Sequence, residues 1–297
     1  NITLHYCVDQ GLLQTLLTDS ALNTASVDNR LWFGCGHLVD CKFSGRPTSR
    51  IVIDRCPNQP DDYATWDQSP RKAQMHYDIK AIRGDFPILS RKVNGKPLVY
   101  LDNGASAQKP QVVIDAVNRG YAEEYANVHR GLHYLSNLAT EKYEGVRAIV
   151  ASFLNAGSED EIIINSGTTE GINMVAYSWA MPRMEAGDEI VLSIMEHHAN
   201  IVPWHFLRER QGVVIKWVDV DENGDLDPQK VIDAIGPKTK LVAVTHMSNV
   251  LGTIVDVKTI TQGAHAKGVP VLIDGSQAAM HMPVDVLDIG CDFYAVT

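Results

Sequence analysis

Four polar segments in this sequence each follow a run of apolar residues, and each carries groups able to hold an anion, a cation or a proton. In Asn165-Ser166-Gly167-Thr168-Thr169-Glu170-Gly171 two hydroxyls and a glycine stand where a strand would give way to a helix. A helix start exposes unpaired N–H groups and the positive end of the dipole, so the segment reads as a phosphate cradle; plain helix capping by Thr168 or Thr169 is the alternative. Ile273-Asp274-Gly275-Ser276-Gln277 offers a carboxylate that can pair with the protonated ring nitrogen of an aromatic cofactor, unless Asp274 only caps the helix that follows. Glu196-His197-His198-Ala199-Asn200 brings an imidazole that can lie against such a ring or move a proton. Neighbouring residues face different ways, which argues against one zinc ion held by both His197 and His198. In Thr245-His246-Met247-Ser248-Asn249-Val250-Leu251-Gly252, Asn249 can bind a substrate carboxylate or simply turn the chain.

The elements that must position these segments alternate. Strands are expected at 98–101, 161–165, 189–193, 213–218, 241–245, 269–273 and 293–297. The first leads into a turn at Asp102-Asn103-Gly104. Helices are expected at 110–125, 140–154, 169–179, 201–209, 228–235 and 257–266, the second closed by Asn155-Ala156-Gly157. Short apolar runs separated by helices give an α/β fold, a three-layer, mostly parallel sheet with helices on both faces. Ligands of such sheets bind beyond the carboxyl ends of the strands. All four polar segments fall on that rim, which capping alone does not explain.

The bulk composition narrows the class. The chain has 297 residues, 45% hydrophobic and 21% charged, with a formal net charge of -10. That charge gives no footprint for nucleic acid. No apolar run reaches the ~18 residues of a membrane span, and the start has no secretory pattern, so a cytoplasmic protein is expected. Four of the five cysteines (Cys7, Cys35, Cys41, Cys56) precede Met75, and residues 1–74 hold eight Asp and no Glu, against twelve Glu afterwards. This first segment is turn-rich, with one helical stretch near 11–21, and stays unassigned: translated upstream sequence or disorder. A zinc site from Cys35, His37, Cys41 and Cys56 is the rival, although the spacings match no zinc pattern. Asn1 and Thr297 both read as cut ends.

Longer stretches carry a resemblance. They include Tyr100-Leu101-Asp102-Asn103-Gly104-Ala105-Ser106-Ala107-Gln108-Lys109-Pro110, Asn127-Val128-His129-Arg130-Gly131 and Ser166-Gly167-Thr168-Thr169-Glu170-Gly171-Ile172-Asn173. They continue in Met195-Glu196-His197-His198-Ala199-Asn200-Ile201-Val202-Pro203-Trp204, Ser248-Asn249-Val250-Leu251-Gly252-Thr253, Asp274-Gly275-Ser276-Gln277-Ala278 and Cys291-Asp292-Phe293-Tyr294. Residues 75–297 resemble the class V aminotransferase group of fold-type I pyridoxal-phosphate (PLP) enzymes, and within it SUF-type cysteine desulfurases.

The resemblance implies that 75–297 is the N-terminal segment and most of the PLP-binding large domain, without the small C-terminal domain. It implies Thr168 and Thr169 at the PLP phosphate, His197 on the pyridine ring, Asp274 at the ring nitrogen and Gln277 at the phenolic oxygen. His129, Asn249 and Gly104 fall near the substrate, with His197 and His129 as the catalytic side chains and no metal. The implied chemistry takes sulfur from L-cysteine, leaving L-alanine and an enzyme persulfide that a sulfur-acceptor protein collects for iron–sulfur cluster assembly. The implied assembly is a homodimer. The family's Schiff-base lysine, sulfur-accepting cysteine and substrate arginine lie beyond Thr297 in its pattern, so the chain as given is expected not to turn over cysteine. Lys238, Lys240, Lys258 and Lys267 are expected on the surface, and Cys291 in the core. A selenocysteine lyase or another class V aminotransferase is the alternative within catalysis; a non-catalytic PLP-like scaffold is the alternative outside it.

Overall fold

In the computed structural model the described residues are 78–297, together with the backbone of three strand segments before them. In chain order these are β1 (His5–Val8), then β2 (Arg30–Phe33) and β3 (His37–Asp40), which pair as an antiparallel hairpin. There follow α1 (Ile79–Gly84), the two-residue strands β4 (Lys92–Val93) and β5 (Lys96–Pro97), α2 (Gln111–Arg119) and the long α3 (Tyr134–Leu154). The alternating part runs β6 (Ile162–Ile164), α4 (Thr168–Met174), β7 (Glu189–Ser193), α5 (Val202–Gln211), β8 (Val214–Val218), α6 (Pro228–Ala234) and β9 (Thr239–Thr245). It closes with α7 (Val257–Ala266), β10 (Val271–Asp274), the single turns α8 (Ala278–His281) and α9 (Val286–Ile289), and β11 (Phe293–Ala295).

The described residues build a seven-stranded sheet in the order β6-β1-β11-β10-β9-β7-β8. Every pairing in it is parallel. Strands β7, β9, β10 and β11 are mostly apolar and buried because both of their faces are covered. Val191, Val242, Val244, Val271, Ile273 and Tyr294 pack on one side with Val146, Val150 and Leu154 of α3 and Ile260 and Ala264 of α7. Their chain neighbours Ile190, Leu192, Leu241, Ala243, Leu272 and Phe293 point the other way, onto Ile172 of α4 and Trp204 and Leu207 of α5. The side-chain period of two thus divides one apolar run between two cores. Parallel pairing also brings all the strand ends to one rim: Asp274 is in register with Thr245 on one side and Ala295 on the other.

The three-layer α/β expectation holds, and so do most elements within a residue or two. Two of the three differences have physical causes. Residues 98–101 form no strand; the nearby pairing is β4 with β5, which ends at Pro97, a residue without an N–H to donate. Val99 and Leu101 beyond it are exposed. Helix α3 starts at Tyr134, six residues ahead of expectation, because His133 caps it through Nδ1, which accepts from Ser136 N at 3.3 Å. Imidazole is outside the usual capping set, so the start carries no familiar signal. Finally, β1 enters the sheet from a segment whose sequence shows no strand–helix rhythm. The helical stretch expected near 11–21, and Cys35, Cys41 and Cys56, lie outside the described residues.

Cys291 is buried, and burial pushes its thiol up to about 12, as suits a core residue and not a nucleophile. Lys238, Lys240, Lys258 and Lys267 are all exposed. Among the described residues no helix is long and apolar enough to cross a membrane.

Candidate cofactor site

The first loop on the rim leaves β6 and opens α4. Asn165 Oδ1 accepts from Gly167 N at 2.9 Å and bends the chain back on itself. Gly167 holds φ 121, a left-handed value that side chains resist, so glycine is required here by the backbone. Glu170 reaches back across the helix start, its Oε2 accepting from Ser166 N at 2.6 Å, and the Ser166 hydrogen bonds hold its carboxyl below the usual range. Neither threonine caps the helix, which removes the plainer reading of the motif. Thr168 is buried, and its N–H and Oγ1 lie 3.3 and 3.1 Å from Thr297 Oγ1. Thr169 is exposed on the helix's first turn.

Across the rim, β10 ends in Asp274. Its Oδ1 accepts from Ser276 N at 3.1 Å and from Ser276 Oγ at 2.6 Å. Burial raises the carboxyl above its ordinary range, opposed by the Ser276 donors and by the charge of His197. Asp274 caps no helix, since the single turn that follows begins after Gln277. A side chain at Gly275 would meet the Tyr294 ring at 2.2 Å, so only glycine lets β10 turn against β11. Tyr294 Oη lies 2.8 Å from His246 Nδ1 in a buried pair. Burial lowers His246 to about 4 and raises Tyr294, so both are neutral at physiological pH. Gln277 Nε2 donates to the Gly104 carbonyl at 3.2 Å, which brings the early turn to the same rim.

The loop after β7 is built on buried Glu196. Its carboxyl accepts from Ser193 Oγ at 2.5 Å and from Asn200 Nδ2 at 2.8 Å, and Asn200 Oδ1 accepts from Trp204 Nε1 at 3.1 Å. Burial pushes Glu196 up to about 7 against these donors, with Asp274 adding to the rise. The network fixes the turn that carries His197, which is exposed; its Nδ1 accepts from Ala199 N at 3.2 Å. The His197 and His198 rings are tilted 42° apart with centroids 5.9 Å from each other. Among the described residues no group of three or more His, Cys, Asp and Glu side chains is placed to hold a metal ion.

Ser276 Oγ thus joins Asp274 to Thr168, at 2.6 and 3.0 Å, and His197 acts on Asp274 by charge, while Gln277 and Gly104 are joined to each other. Asn249 is exposed in the loop after β9, where the Ser248 hydroxyl accepts from Val250 N and Leu251 N and so organises the turn in its place. His129 stands apart and bonds instead to the long helix α3. Its φ of 69 is held by a bond from its N–H to Thr140 Oγ1 at 2.8 Å, and its Nε2 lies 2.5 Å from Glu144 Oε1. Three residues of the site were not singled out by sequence: Ser276, Glu196 and Thr297. The first two sit inside motifs already marked, beside the residue given the role. Thr297 carries no local signal, because only the sheet brings it to Thr168.

These side chains suit a phosphorylated pyridine. A buried carboxylate held only by Ser276 and a nearby imidazole gains from a cationic ring N–H, and Thr168 offers hydroxyl and N–H donors to a phosphate. The model of the family described as aminotransferase class-V matches residues 99–297. A cysteine desulfurase of Yersinia pestis (strain Pestoides F) is 52% identical over 220 residues, covering 74% of this chain and 54% of its own length. A probable cysteine desulfurase of Mycolicibacterium paratuberculosis is 48% identical over 218 residues, covering 73% of this chain and 32% of its own. The solved apo cysteine desulfurase of Thermococcus onnurineus NA1 has a TM-score of 0.68 at 36% identity, over 74% of this chain and 52% of that one. The chain spans about half the length of such relatives, or less.

Proposed function

The chain belongs to the aminotransferase class-V family, and from that premise we propose that it forms the cofactor-binding part of a PLP-dependent cysteine desulfurase. The observation that carries the reading is the continuous set of bonds from Thr168 through Ser276 to Asp274, with His197 beside it. Thr168 and Thr169 would donate to the phosphate, Asp274 would accept the ring N–H, Gln277 would donate to the phenolic oxygen and His197 would lie against the ring. His129, Asn249 and the Gly104 turn would face the amino-acid substrate. Bound PLP supplies an electron sink for bond cleavage next to the substrate's α-carbon.

Asp274 would hold the ring nitrogen in its protonated form, and its burial would strengthen that pairing because little water reaches the carboxylate. Glu196, Asn200 and Trp204 hold the His197 turn from beneath. L-cysteine is the substrate this reading assigns, with alanine and an enzyme persulfide as products and a sulfur-acceptor protein as partner, in a cytoplasmic homodimer. The names of the relatives support that choice.

A titration of the chain with PLP, followed by tryptophan fluorescence and cofactor absorbance, tests it. Saturable binding of one PLP per chain, weakened by Asp274→Asn, is expected. No saturable binding would sink the proposal.

A further inference from the structure

Building on that reading of the site, we infer that Ser276 is a positioning residue that couples the two ends of the cofactor cradle, linking the hydroxyl of Thr168 to the carboxylate of Asp274. Ser276 Oγ lies 2.6 Å from Asp274 Oδ1 and 3.0 Å from Thr168 Oγ1. Thr168 Oγ1 in turn lies 3.1 Å from Thr297 Oγ1. Thr168 follows β6 and Asp274 ends β10, strands that β1 and β11 separate in the sheet, so one serine spans the distance between two remote segments.

Proton accounting gives this row a direction. Each hydroxyl owns one proton, and an ionised carboxylate only accepts. With Asp274 ionised, Ser276 must donate to Oδ1, so the bond between the two hydroxyls must be donated by Thr168. With Asp274 protonated, the carboxyl can donate to Ser276, Ser276 to Thr168, and Thr168 onward to Thr297 or to a phosphate. In the ligand-free chain the charge at the ring-nitrogen end thus decides which way the hydroxyl at the phosphate end points, and a bound phosphate takes the Thr168 proton in place of Ser276. Bonds in such a row polarise one another, so removing Thr168's donation weakens the donation that Ser276 makes to Asp274. His197 and Glu196 from the turn after β7, and Tyr294 from β11, also act on the charge of Asp274. None of them belongs to the row.

Carboxyl ¹³C NMR of the full chain, labelled at aspartate, reads the coupling without cofactor. The titration midpoint of Asp274 is followed in the wild type, S276A, T168V, the double variant S276A/T168V, and S276T with and without T168V. S276A is expected to raise the midpoint by ~1 pH unit, a ~10-fold gain in proton affinity. T168V is expected to raise it by a few tenths of a unit where a hydroxyl stands at position 276, in the wild type and S276T backgrounds, and not at all in S276A. Ser276→Cys fills the same space with a weak donor and replaces S276A in the comparison if that variant does not fold. An unchanged midpoint on loss of the hydroxyl, or the same T168V shift in every background, overturns the inference. PLP titrations of the same proteins judge the parent reading separately: a wild-type chain that binds no PLP refutes that reading and leaves the NMR comparison to decide the coupling.

Discussion

The two rims of the same sheet treat carboxylates in opposite ways. At the amino ends, Glu189 of β7 accepts from Thr239 Oγ1 at 3.0 Å and pairs with Lys216 Nζ at 3.1 Å, and Asp188 lies 3.9 Å from Lys240 Nζ. At the carboxyl ends, Asp274 and Glu196 are buried, are held by neutral donors, and both rise above the ordinary carboxyl range. Glu189 and Asp188 are matched with bases; Asp274 and Glu196 are kept partly uncompensated. Stability alone favours the first arrangement. Acids held at a cost mark the rim where a ligand can offset that cost.

The largest test of this contrast is Asp274→Asn. It should lower PLP affinity by ~100-fold, as expected for a lost hydrogen bond to a charged group in a dry site, and should leave thermal stability equal or higher. Glu189→Gln should change PLP affinity by less than ~2-fold. Reversed effects would break the comparison.

Next in size is the pH dependence that Glu196 imposes on stability. Its carboxyl rises from 4.5 to about 7, so between those values the native state holds a proton that the unfolded chain has released. Stability from this group is therefore greatest below 4.5 and falls as pH rises to 7. Glu196→Gln should remove a decline on the order of 2 kcal/mol across that window, read from urea unfolding at pH 5, 6 and 7. Parallel curves for the variant and the wild type would show that Glu196 is already ionised.

Thr168→Val should weaken both PLP and inorganic phosphate by ~10-fold, whereas Thr169→Val, at an exposed hydroxyl, should do less. Competition titrations with phosphate separate the two; equal losses would mean that burial of Thr168 carries no meaning. The smallest effect expected is on the amino rim. Lys216 and Glu189 have side-chain exposures of 36% and 18%, so breaking the pair should cost at most ~1 kcal/mol and less in high salt.

The alternation of the fold was legible because apolar runs of strand length, interrupted by helical spacing, have few other solutions. The polar loops after β6, β7 and β10 were legible as loops because each follows its strand directly. What stayed hidden depends on contacts between distant segments. Nothing near Thr297 points to Thr168, and no local pattern shows that Gln277 reaches Gly104. Ser276 lies within a legible motif, but a hydroxyl two residues past an aspartate usually does no more than turn the chain. The early start of α3 was missed for a different reason: its cap is an imidazole.

Chemical-shift mapping of PLP onto the chain tests the location of the site most directly. The largest amide shifts should fall at 167–169, 196–199 and 275–277, with Glu189, Thr239 and Lys240 unmoved. Shifts concentrated around those last three residues would contradict the assignment of the ligand to the carboxyl rim.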